Sequence, residues 1–340
     1  MLEATQRHPW HLKTWPRANF RARLIHHAAW TLGAFGLHFP HRLESLAVSP
    51  NSPYAQLRAE FDRLGIFLGT SGPNRKIVVY AARPDRSVFV KIPLGPESAA
   101  LVAREADALE ALASDPDLAS LVPAATRIAG HLAVEDLETD GVIYATLDVH
   151  ELSRIHDMLE RRSAITRQLR ALRAEWPDGL KGRQSTHDAE TTAALEKACH
   201  QAKGFLDGLP QDLAVPCYMA HGDFTRWNVL RAADGTARII DWEFFGLKPR
   251  WFDLVHYIVS HDILVERNSS DVMVRKLQEV ARKIGAHPPE YGWWQHVGLY
   301  VAYQSLYYTE LYDRQVSLHP QAAWQLKAWS QILSIIQNSS

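Results

Sequence analysis

Residues 221–243 read HGDFTRWNVLRAADGTARIIDWE, and this stretch decides the fold. Its centre, Asp234-Gly235, lies between two short apolar segments, which is the strongest short-range signal for a β-hairpin. A two-residue turn at this point places Asn228 opposite Asp241 at the open end of the hairpin. Directly opposed side chains have Cβ atoms about 4.5–5.5 Å apart. Two oxygen donors brought together in this way suit a hard cation such as Mg²⁺.

Asp223 lies five residues before Asn228, in a His-Gly-Asp turn that ends an apolar segment. The turn is expected to bring this carboxylate to the end of the hairpin that carries Asn228 and Asp241. A carboxylate close to a metal site can accept the proton of an attacking hydroxyl group. Asp and Asn also end strands for purely structural reasons, but three of them at one end of a hairpin favour a catalytic site.

The chain before the hairpin changes from a β pattern to a helical one. Short apolar runs separated by turn residues predict strands at 66–69, 76–82, 87–92, 127–129 and 132–136. The Ala-, Leu- and Glu-rich stretch 98–114 predicts a helix, and beyond about residue 150 helices dominate, apart from residues 217–242. The predicted fold is α+β and bilobal, with a helical extension at 1–60, a small β-rich N-terminal lobe at 61–137 and a larger, mostly helical C-terminal lobe at 138–340.

Two charged residues upstream of the hairpin are predicted to form a buried ion pair. The alternation of residues 88–92 places Lys91 mid-strand on an apolar face, where an unpaired ammonium group is costly. In the following helix, Glu105 falls within the apolar stripe. Pairing of the two side chains removes both costs, whereas a snorkelling lysine and a solvated glutamate are the alternative.

Composition narrows the class of protein. The 340 residues carry 37 basic and 38 acidic side chains, a net charge of −1, which excludes a globally basic nucleic-acid-binding protein. Two cysteines without CxxC spacing exclude a disulfide scaffold and a thiolate zinc site. No apolar run reaches the ~18 residues of a transmembrane helix and no secretory signal is visible, so we expect a cytoplasmic protein. Residues 1–50, with six basic and two acidic residues, fit a peripheral membrane contact or a helix docked on the main body.

Together these segments resemble the aminoglycoside phosphotransferase and choline-kinase-like branch of the protein-kinase fold. The specific signal is HGDFTRWN at 221–228 followed by IIDWE at 239–243, and FLGTSGPN, FVKIP, READALEAL and AVEDL precede it in the order that this family has. The resemblance implies transfer of the γ-phosphate of ATP to a hydroxyl group with Mg²⁺ as cofactor, and it does not exclude GTP. The sequence contains no GxxxxGK[ST], no Rossmann GxGxxG and no GxSxG motif.

The resemblance also implies roles for single residues. Asp223 would be the catalytic base, and Asn228 and Asp241 would be the Mg²⁺ ligands. Lys91 would hold the α- and β-phosphates, with Glu105 as its helix partner.

Four further features are supported by the resemblance. A turn near the phosphates is expected to contain Gly69, Ser71 and Gly72. The hinge near the adenine ring is expected to contain Glu135, Asp136 and Leu137. A structural role is expected for His221, and Asp253 is expected to anchor the catalytic loop.

The acceptor is defined only by class. The turn after Gly69 is not the GxGxxG of protein kinases, and no arginine precedes Asp223 in the place where protein kinases have one. Both departures point to a small-molecule or glycan acceptor. From Glu243 onwards nine acidic residues balance nine basic ones, which gives no support to a polycationic aminoglycoside.

Aromatic residues between Tyr291 and Tyr312 fit stacking on a sugar or enclosure of a quaternary ammonium group, and their helical spacing fits core packing better. Three interpretations stay open: a kinase of a sugar, glycan precursor or amino alcohol, an aminoglycoside-resistance kinase, and a catalytically silent kinase-like protein that binds nucleotide or a partner. The remaining histidines are expected to be surface or packing residues.

Overall fold

The computed structural model describes residues 49–68, 74–137, 143–144, 146–180, 187–286, 292–315, 318 and 320–339. Most of the predicted N-terminal extension lies outside the described residues. The predicted phosphate turn with Gly69, Ser71 and Gly72 lies outside them as well.

The described part of the chain forms two compact units. The first holds its described residues up to Thr146 together with Arg226–Phe244, and the second holds the described residues of 147–225 and 245–340. The hairpin that follows Asn228 therefore belongs to the first unit, while Asp223 belongs to the second. The predicted segment boundaries at 60 and 137 stay predictions.

Five strands form the main sheet of the first unit: β1 (Arg63–Leu68), β2 (Lys76–Arg83), β3 (Arg86–Pro93), β4 (Ala125–Ile128) and β5 (His131–Glu135). They are antiparallel, in the order β1-β2-β3-β5-β4. Alternate residues such as Val88 and Val90 lie in a hydrophobic core on one face. Helix α1 (Pro53–Glu60) contributes Leu57 to this core, and it begins at Ser52, whose hydroxyl accepts a hydrogen bond from an amide of the first turn.

Helix α2 (Pro96–Ala113) follows β3 and confirms the helix predicted at 98–114. Proline at its first position suits a helix start because that position needs no amide donor. Its apolar stripe is buried, and Glu105 lies on this stripe with 1% of its surface exposed. The helix therefore delivers a carboxylate to the interior of the first unit.

The hairpin consists of β9 (Val229–Arg231) and β10 (Ala237–Ile239), and β6 (Ile143–Tyr144) pairs with β9 on its other side. The ladder pairs Val229 with Ile239, and the amide of Ile240 donates to the carbonyl of Asn228 at 3.0 Å. Asn228 thus faces Ile240, so the predicted pairing with Asp241 is wrong by one residue.

The turn explains this shift of register. The amide of Ala232 donates to the carbonyl of Thr236 at 2.9 Å, which leaves three residues in the loop instead of two. Of Asp234 and Gly235, only Gly235 has a positive φ, +84°. A two-residue Asp-Gly turn of the predicted kind needs positive φ at both residues, whereas a three-residue loop needs it at one.

The second unit contains a small antiparallel sheet in the order β11-β8-β7 and seven helices among its described residues. Its strands are β7 (Ile165–Gln168), β8 (Ala214–Ala220) and β11 (Gly246–Pro249). Its helices are α3 (Val149–Ser163), α4 (Leu169–Glu175), α5 (Ala189–Asp207), α6 (Phe252–His261), α7 (Ser270–Lys283), α8 (Trp293–Asp313) and α9 (Pro320–Ser339). In the described part of the chain, none of the helices has the length and apolar character needed to cross a membrane.

Candidate active site

Lys91 lies at the centre of a buried ion cluster in the first unit. Its ammonium nitrogen is 2.6 Å from both carboxylate oxygens of Glu105 and 2.8 Å from Oδ1 of Asp241. Lys91 comes from β3 and Glu105 from α2, so the predicted strand–helix ion pair is confirmed. Burial lowers the pKa of Lys91, but the carboxylates of Asp241 and Glu105 outweigh it, so the pKa is raised and the side chain remains an ammonium ion.

Glu243 and Lys76 extend this cluster, and the sequence analysis missed both. Lys76 donates a hydrogen bond to Glu243, and its Nζ lies 3.9 Å from Oδ1 of Asp241. Burial and the neighbouring Asp241 raise the pKa of Glu243 to about 7. The one available signal was the position of Glu243, two residues after Asp241 in IIDWE, because Lys76 merely opens an apolar strand.

The donor atoms of this cluster fit a Mg²⁺ ion. Carboxylate oxygens of Glu105, Asp241 and Glu243 all lie within 4.8 Å of one another. Mg²⁺ prefers hard oxygen ligands and is bound in nucleotide sites through one or two carboxylates plus phosphate oxygens. Two lysines beside these carboxylates add cationic groups of the kind that phosphate binding uses.

Asn228, the second predicted Mg²⁺ ligand, is buried at the end of the short 3₁₀ turn Arg226–Asn228. Its backbone carbonyl is hydrogen-bonded to the residue before Asp241, and Asp241 itself has left-handed backbone with a φ of +67°. The backbones of Asn228 and Asp241 therefore lie side by side without being directly opposed. The role of Asn228 as a ligand stays a prediction.

The predicted hinge residues lie at the end of β5. The amide of Glu135 donates to the carbonyl of Ala124 at 2.9 Å, and the amide of Asp136 donates to the carbonyl of Ser87 at 3.1 Å. The buried carboxylate of Asp136 also accepts a hydrogen bond from the Ser87 hydroxyl at 3.2 Å, and Leu137 is buried. Both amides are therefore hydrogen-bonded to neighbouring backbone carbonyls, and contact of this segment with a nucleotide stays a prediction.

In the second unit, Asp253 holds the loop that carries Asp223. Its carboxylate oxygens accept hydrogen bonds from the amides of His221 at 2.7 Å and Gly222 at 2.9 Å. Gly222 has a φ of +87°, a backbone conformation that suits glycine. His221 is fully buried, and its Nδ1 accepts a hydrogen bond from the amide of Asp223 at 3.2 Å. The expected anchoring role of Asp253 and the structural contacts of His221 are both present.

The carboxylate of Asp223 has a partner, His256, that the sequence did not single out. Oδ1 of Asp223 lies 2.9 Å from Nε2 of His256, which is on α6. The Asp223 side chain keeps 27% of its surface exposed, whereas His256 is buried. From the sequence, His256 is expected to be a surface or packing residue, since an isolated histidine in an apolar helix carries no signal of a distant carboxylate.

Comparison with known proteins assigns the chain to a family. The sequence model of the phosphotransferase enzyme family matches residues 74–267, which is more than half of the chain. The chain therefore belongs to the phosphotransferase enzyme family. The predicted resemblance is confirmed, and so is the predicted α+β, protein-kinase-like fold with an antiparallel sheet in its N-terminal part and helices in its C-terminal part.

Solved structures of small-molecule kinases are similar to this chain at low sequence identity. The choline kinase LicA from Streptococcus pneumoniae is 14% identical, with 80% of this chain and 94% of that chain covered and a TM-score of 0.48. The aminoglycoside phosphotransferase APH(4)-Ia is 13% identical, with 84% and 99% covered and a TM-score of 0.49. A microcompartment-associated aminopropanol kinase is 14% identical, with 84% and 96% covered and a TM-score of 0.44. A search of curated protein sequences finds no match.

Proposed function

We propose that this phosphotransferase is an ATP- and Mg²⁺-dependent kinase that transfers the γ-phosphate to a hydroxyl group of a sugar, a glycan precursor or an amino alcohol. The observation that carries the proposal is the cluster of Lys91, Glu105 and Asp241, in which Lys91 and Glu105 are buried and Asp241 is partly exposed. In this cluster the ammonium group of Lys91 is fixed beside carboxylates that can hold a metal ion. The chain that contains it belongs to the phosphotransferase enzyme family. Removing charged groups from water costs free energy, so a cluster of this kind is expected to have a function.

In this proposal each residue has one task. Lys91 holds the α- and β-phosphates, and Glu105 fixes the position of Lys91. Asp241 and Asn228 would hold Mg²⁺, and the bound ion would supply positive charge that offsets the charge of the phosphates. Asp223 orients the acceptor hydroxyl and takes its proton as the new O–P bond forms and ADP leaves. The phosphate turn (Gly69, Ser71 and Gly72) and the hinge (Glu135, Asp136 and Leu137) are proposed to contact the nucleotide.

Lys248 favours a neutral or anionic acceptor. Its ammonium nitrogen lies 4.0 Å from the ring centre of Tyr303 and donates to the hydroxyl of that residue at 2.6 Å. It also lies 5.6 Å from the ring centre of Phe252, which stacks on His256, the partner of Asp223. The partly exposed ring of Tyr303 is thus already occupied by a cation of the protein, which disfavours a polycationic aminoglycoside.

The test is nucleotide binding followed by an acceptor screen. Titration calorimetry with ATP, with and without Mg²⁺, is expected to show binding that depends on the metal, and a parallel titration with GTP settles the nucleotide preference. ATP consumption is then measured across sugars, amino alcohols and aminoglycosides. Absence of both Mg²⁺-ATP binding and ATP consumption would exclude the kinase and leave a silent, partner-binding protein.

Asp223→Ala separates chemistry from binding. Loss of a general base costs about 10²–10⁴-fold in rate, so turnover is expected to fall by at least this factor while the ATP affinity stays close to that of the wild type. Asp212→Ala, which removes an exposed carboxylate of the same unit, is the matched control. Full turnover by Asp223→Ala would show that another residue is the base.

A further inference from the structure

His256 connects Asp223 to the interior of the second unit through a chain of hydrogen bonds. On one side its Nε2 lies 2.9 Å from Oδ1 of Asp223. On the other side its Nδ1 lies 3.0 Å from the hydroxyl of Tyr300 and 3.0 Å from Nε2 of Gln304. Tyr300 and Gln304 are successive inward-facing residues of α8, one turn apart. Two helices, α6 and α8, therefore converge on one carboxylate through a single imidazole ring.

The partners determine which ring nitrogen carries the proton. A carboxylate only accepts hydrogen bonds, so Nε2 of His256 must be the donor to Asp223. The amide nitrogen of Gln304 only donates, so Nδ1 must be an acceptor. Burial, together with the charge of Asp223, raises the pKa of Tyr300 well above its ordinary value, so its hydroxyl stays protonated and able to donate to Nδ1. The arrangement describes a neutral imidazole with its proton on Nε2.

Burial makes this arrangement rigid. His256, Tyr300 and Gln304 are 4%, 1% and 3% exposed. The ring of Phe252 packs on both aromatic partners, parallel to the His256 ring and edge-on to Tyr300, with centroid distances of 6.5 Å and 5.1 Å. Rotation of the imidazole would leave buried donors and acceptors without partners, which is unfavourable. The ring is therefore held in one orientation, whereas Asp223 itself is partly open to solvent.

We propose that His256 is a positioning residue that fixes the carboxylate of Asp223 for proton abstraction, with Tyr300 and Gln304 fixing His256 in turn. The proposal rests on the proposed kinase function, in which Asp223 is the base. A hydrogen bond to Oδ1 sets the rotation of the carboxylate and so the direction in which Oδ2 faces the acceptor hydroxyl. Since Nδ1 acts as an acceptor, the imidazole donates a hydrogen bond to Asp223 from Nε2 and leaves the negative charge on the carboxylate, where the base needs it.

The kinetic test compares His256→Leu with His256→Gln. Leucine removes the hydrogen bond to Asp223, and a misplaced reacting group typically costs about 10²-fold in rate. For His256→Leu we expect a 10- to 100-fold lower kcat for ATP consumption and an unchanged KM for ATP. The acceptor is the one found in the screen, or water. Glutamine places an amide donor near the position of Nε2. The decrease in log kcat is therefore expected to be smaller than in His256→Leu by about a third or more.

Ser260→Ala is the matched control, because Ser260 is a buried polar residue of the same helix whose hydroxyl makes no hydrogen bond within the described part of the chain. The kcat of this variant is expected to equal that of the wild type. A His256→Leu protein that folds and keeps the wild-type kcat would overturn the positioning role. So would a loss of kcat that His256→Gln does not recover at all. If the wild type itself consumes no ATP, the proposed kinase function fails. Failure of the positioning role is different, because the wild type then consumes ATP and His256→Leu does so equally well.

A spectroscopic measurement tests the hydrogen-bond chain without reference to activity. In ¹⁵N NMR of the full chain, His256 is expected to give the pattern of a neutral ring protonated at Nε2, assigned by its loss in His256→Gln. Gln304→Leu is expected to change the Nδ1 resonance and to lower kcat about 3- to 10-fold through the loosened ring. A ring protonated at Nδ1 alone in the wild type would overturn the proposal.

Discussion

Asp241 combines a left-handed backbone conformation with a partly exposed carboxylate that belongs to the ion cluster. Its φ of +67° lies in the left-handed region, which costs a non-glycine residue about 1–2 kcal/mol, although Asp and Asn tolerate it better than other residues. The same residue accepts a hydrogen bond from Lys91 at 2.8 Å and lies next to Glu243. A backbone conformation of this kind persists only where the surroundings enforce it, and functional sites are where such residues concentrate.

Asp241→Asn is expected to weaken Mg²⁺-dependent ATP binding at least about tenfold, or ~1.4 kcal/mol. Asparagine keeps the shape and tolerates the left-handed backbone, so the change removes the charge that a hard cation requires. Titration calorimetry with ATP at fixed Mg²⁺ measures the effect. Asp234→Asn, at the exposed turn of the same hairpin, is the control and is expected to bind normally. Equal affinities of Asp241→Asn and the wild type would remove Asp241 from the metal site.

Between elements, the tightest contact described is the approach of α5 to α8. Gly298 of α8 faces the ring of Phe205 on α5, and a Cβ atom at Gly298 would lie 2.1 Å from the nearest ring carbon. Because interiors are packed at crystal density, no side chain fits there without displacing the ring. Gly204, the neighbour of Phe205 in α5, has open space at the corresponding point.

Gly298→Ala is expected to destabilise the protein by about 1–3 kcal/mol, the usual cost of overpacking. Gly204→Ala is the matched control and is expected to stabilise by up to about 1 kcal/mol, because alanine is the better helix former and meets no neighbour. Urea unfolding of both variants measures the difference in the free energy of unfolding. If the two substitutions had the same sign, the close approach of α5 and α8 would be wrong. Adding Phe205→Leu to Gly298→Ala is expected to restore part of the loss.

At the scale of the whole molecule, a buried histidine couples stability to pH. His296 of α8 is 4% exposed, and burial, helped by the nearby Arg250, lowers its pKa from 6.5 to about 4, while Glu160 opposes the shift. The unfolded chain therefore binds a proton that the folded chain rejects between these two pH values. The contribution of His296 to stability is complete above pH 6.5 and is lost as the pH falls towards 4.

The free energy of unfolding is expected to fall between pH 7 and pH 5, with about 2 kcal/mol of the loss due to His296. His296→Phe keeps a ring against Trp251, which lies 5.2 Å away, but removes the ionisable imidazole. Its free energy of unfolding is therefore expected to fall by about 2 kcal/mol less between pH 7 and pH 5 than that of the wild type. His200→Phe, at an exposed position of α5, serves as the control and should keep the wild-type slope. Identical slopes for all three proteins would show that His296 titrates normally.

Periodicity and motif spacing were sufficient for part of the site. The ion pair of Lys91 and Glu105 followed from an alternating strand and a 3.6-residue stripe, since each pattern is local and identifies the buried face. The pairing of Asn228 was missed by one residue because the length of the loop depends on which residues adopt positive φ, and Asp-Gly permits more than one solution.

By itself the sequence determined the five strands of the main sheet, the helix between them, the α+β class and the residues with ionisable or metal-binding chemistry, because these depend on local pattern and residue type. Only the tertiary structure decided that Glu243 and Lys76 join the cluster of Lys91 and that His256 contacts Asp223. Lys76 and Glu243 are 167 residues apart, and His256 and Asp223 are 33 apart. Contacts over such separations depend on how whole elements pack, and no local periodicity encodes which of several buried polar residues will meet.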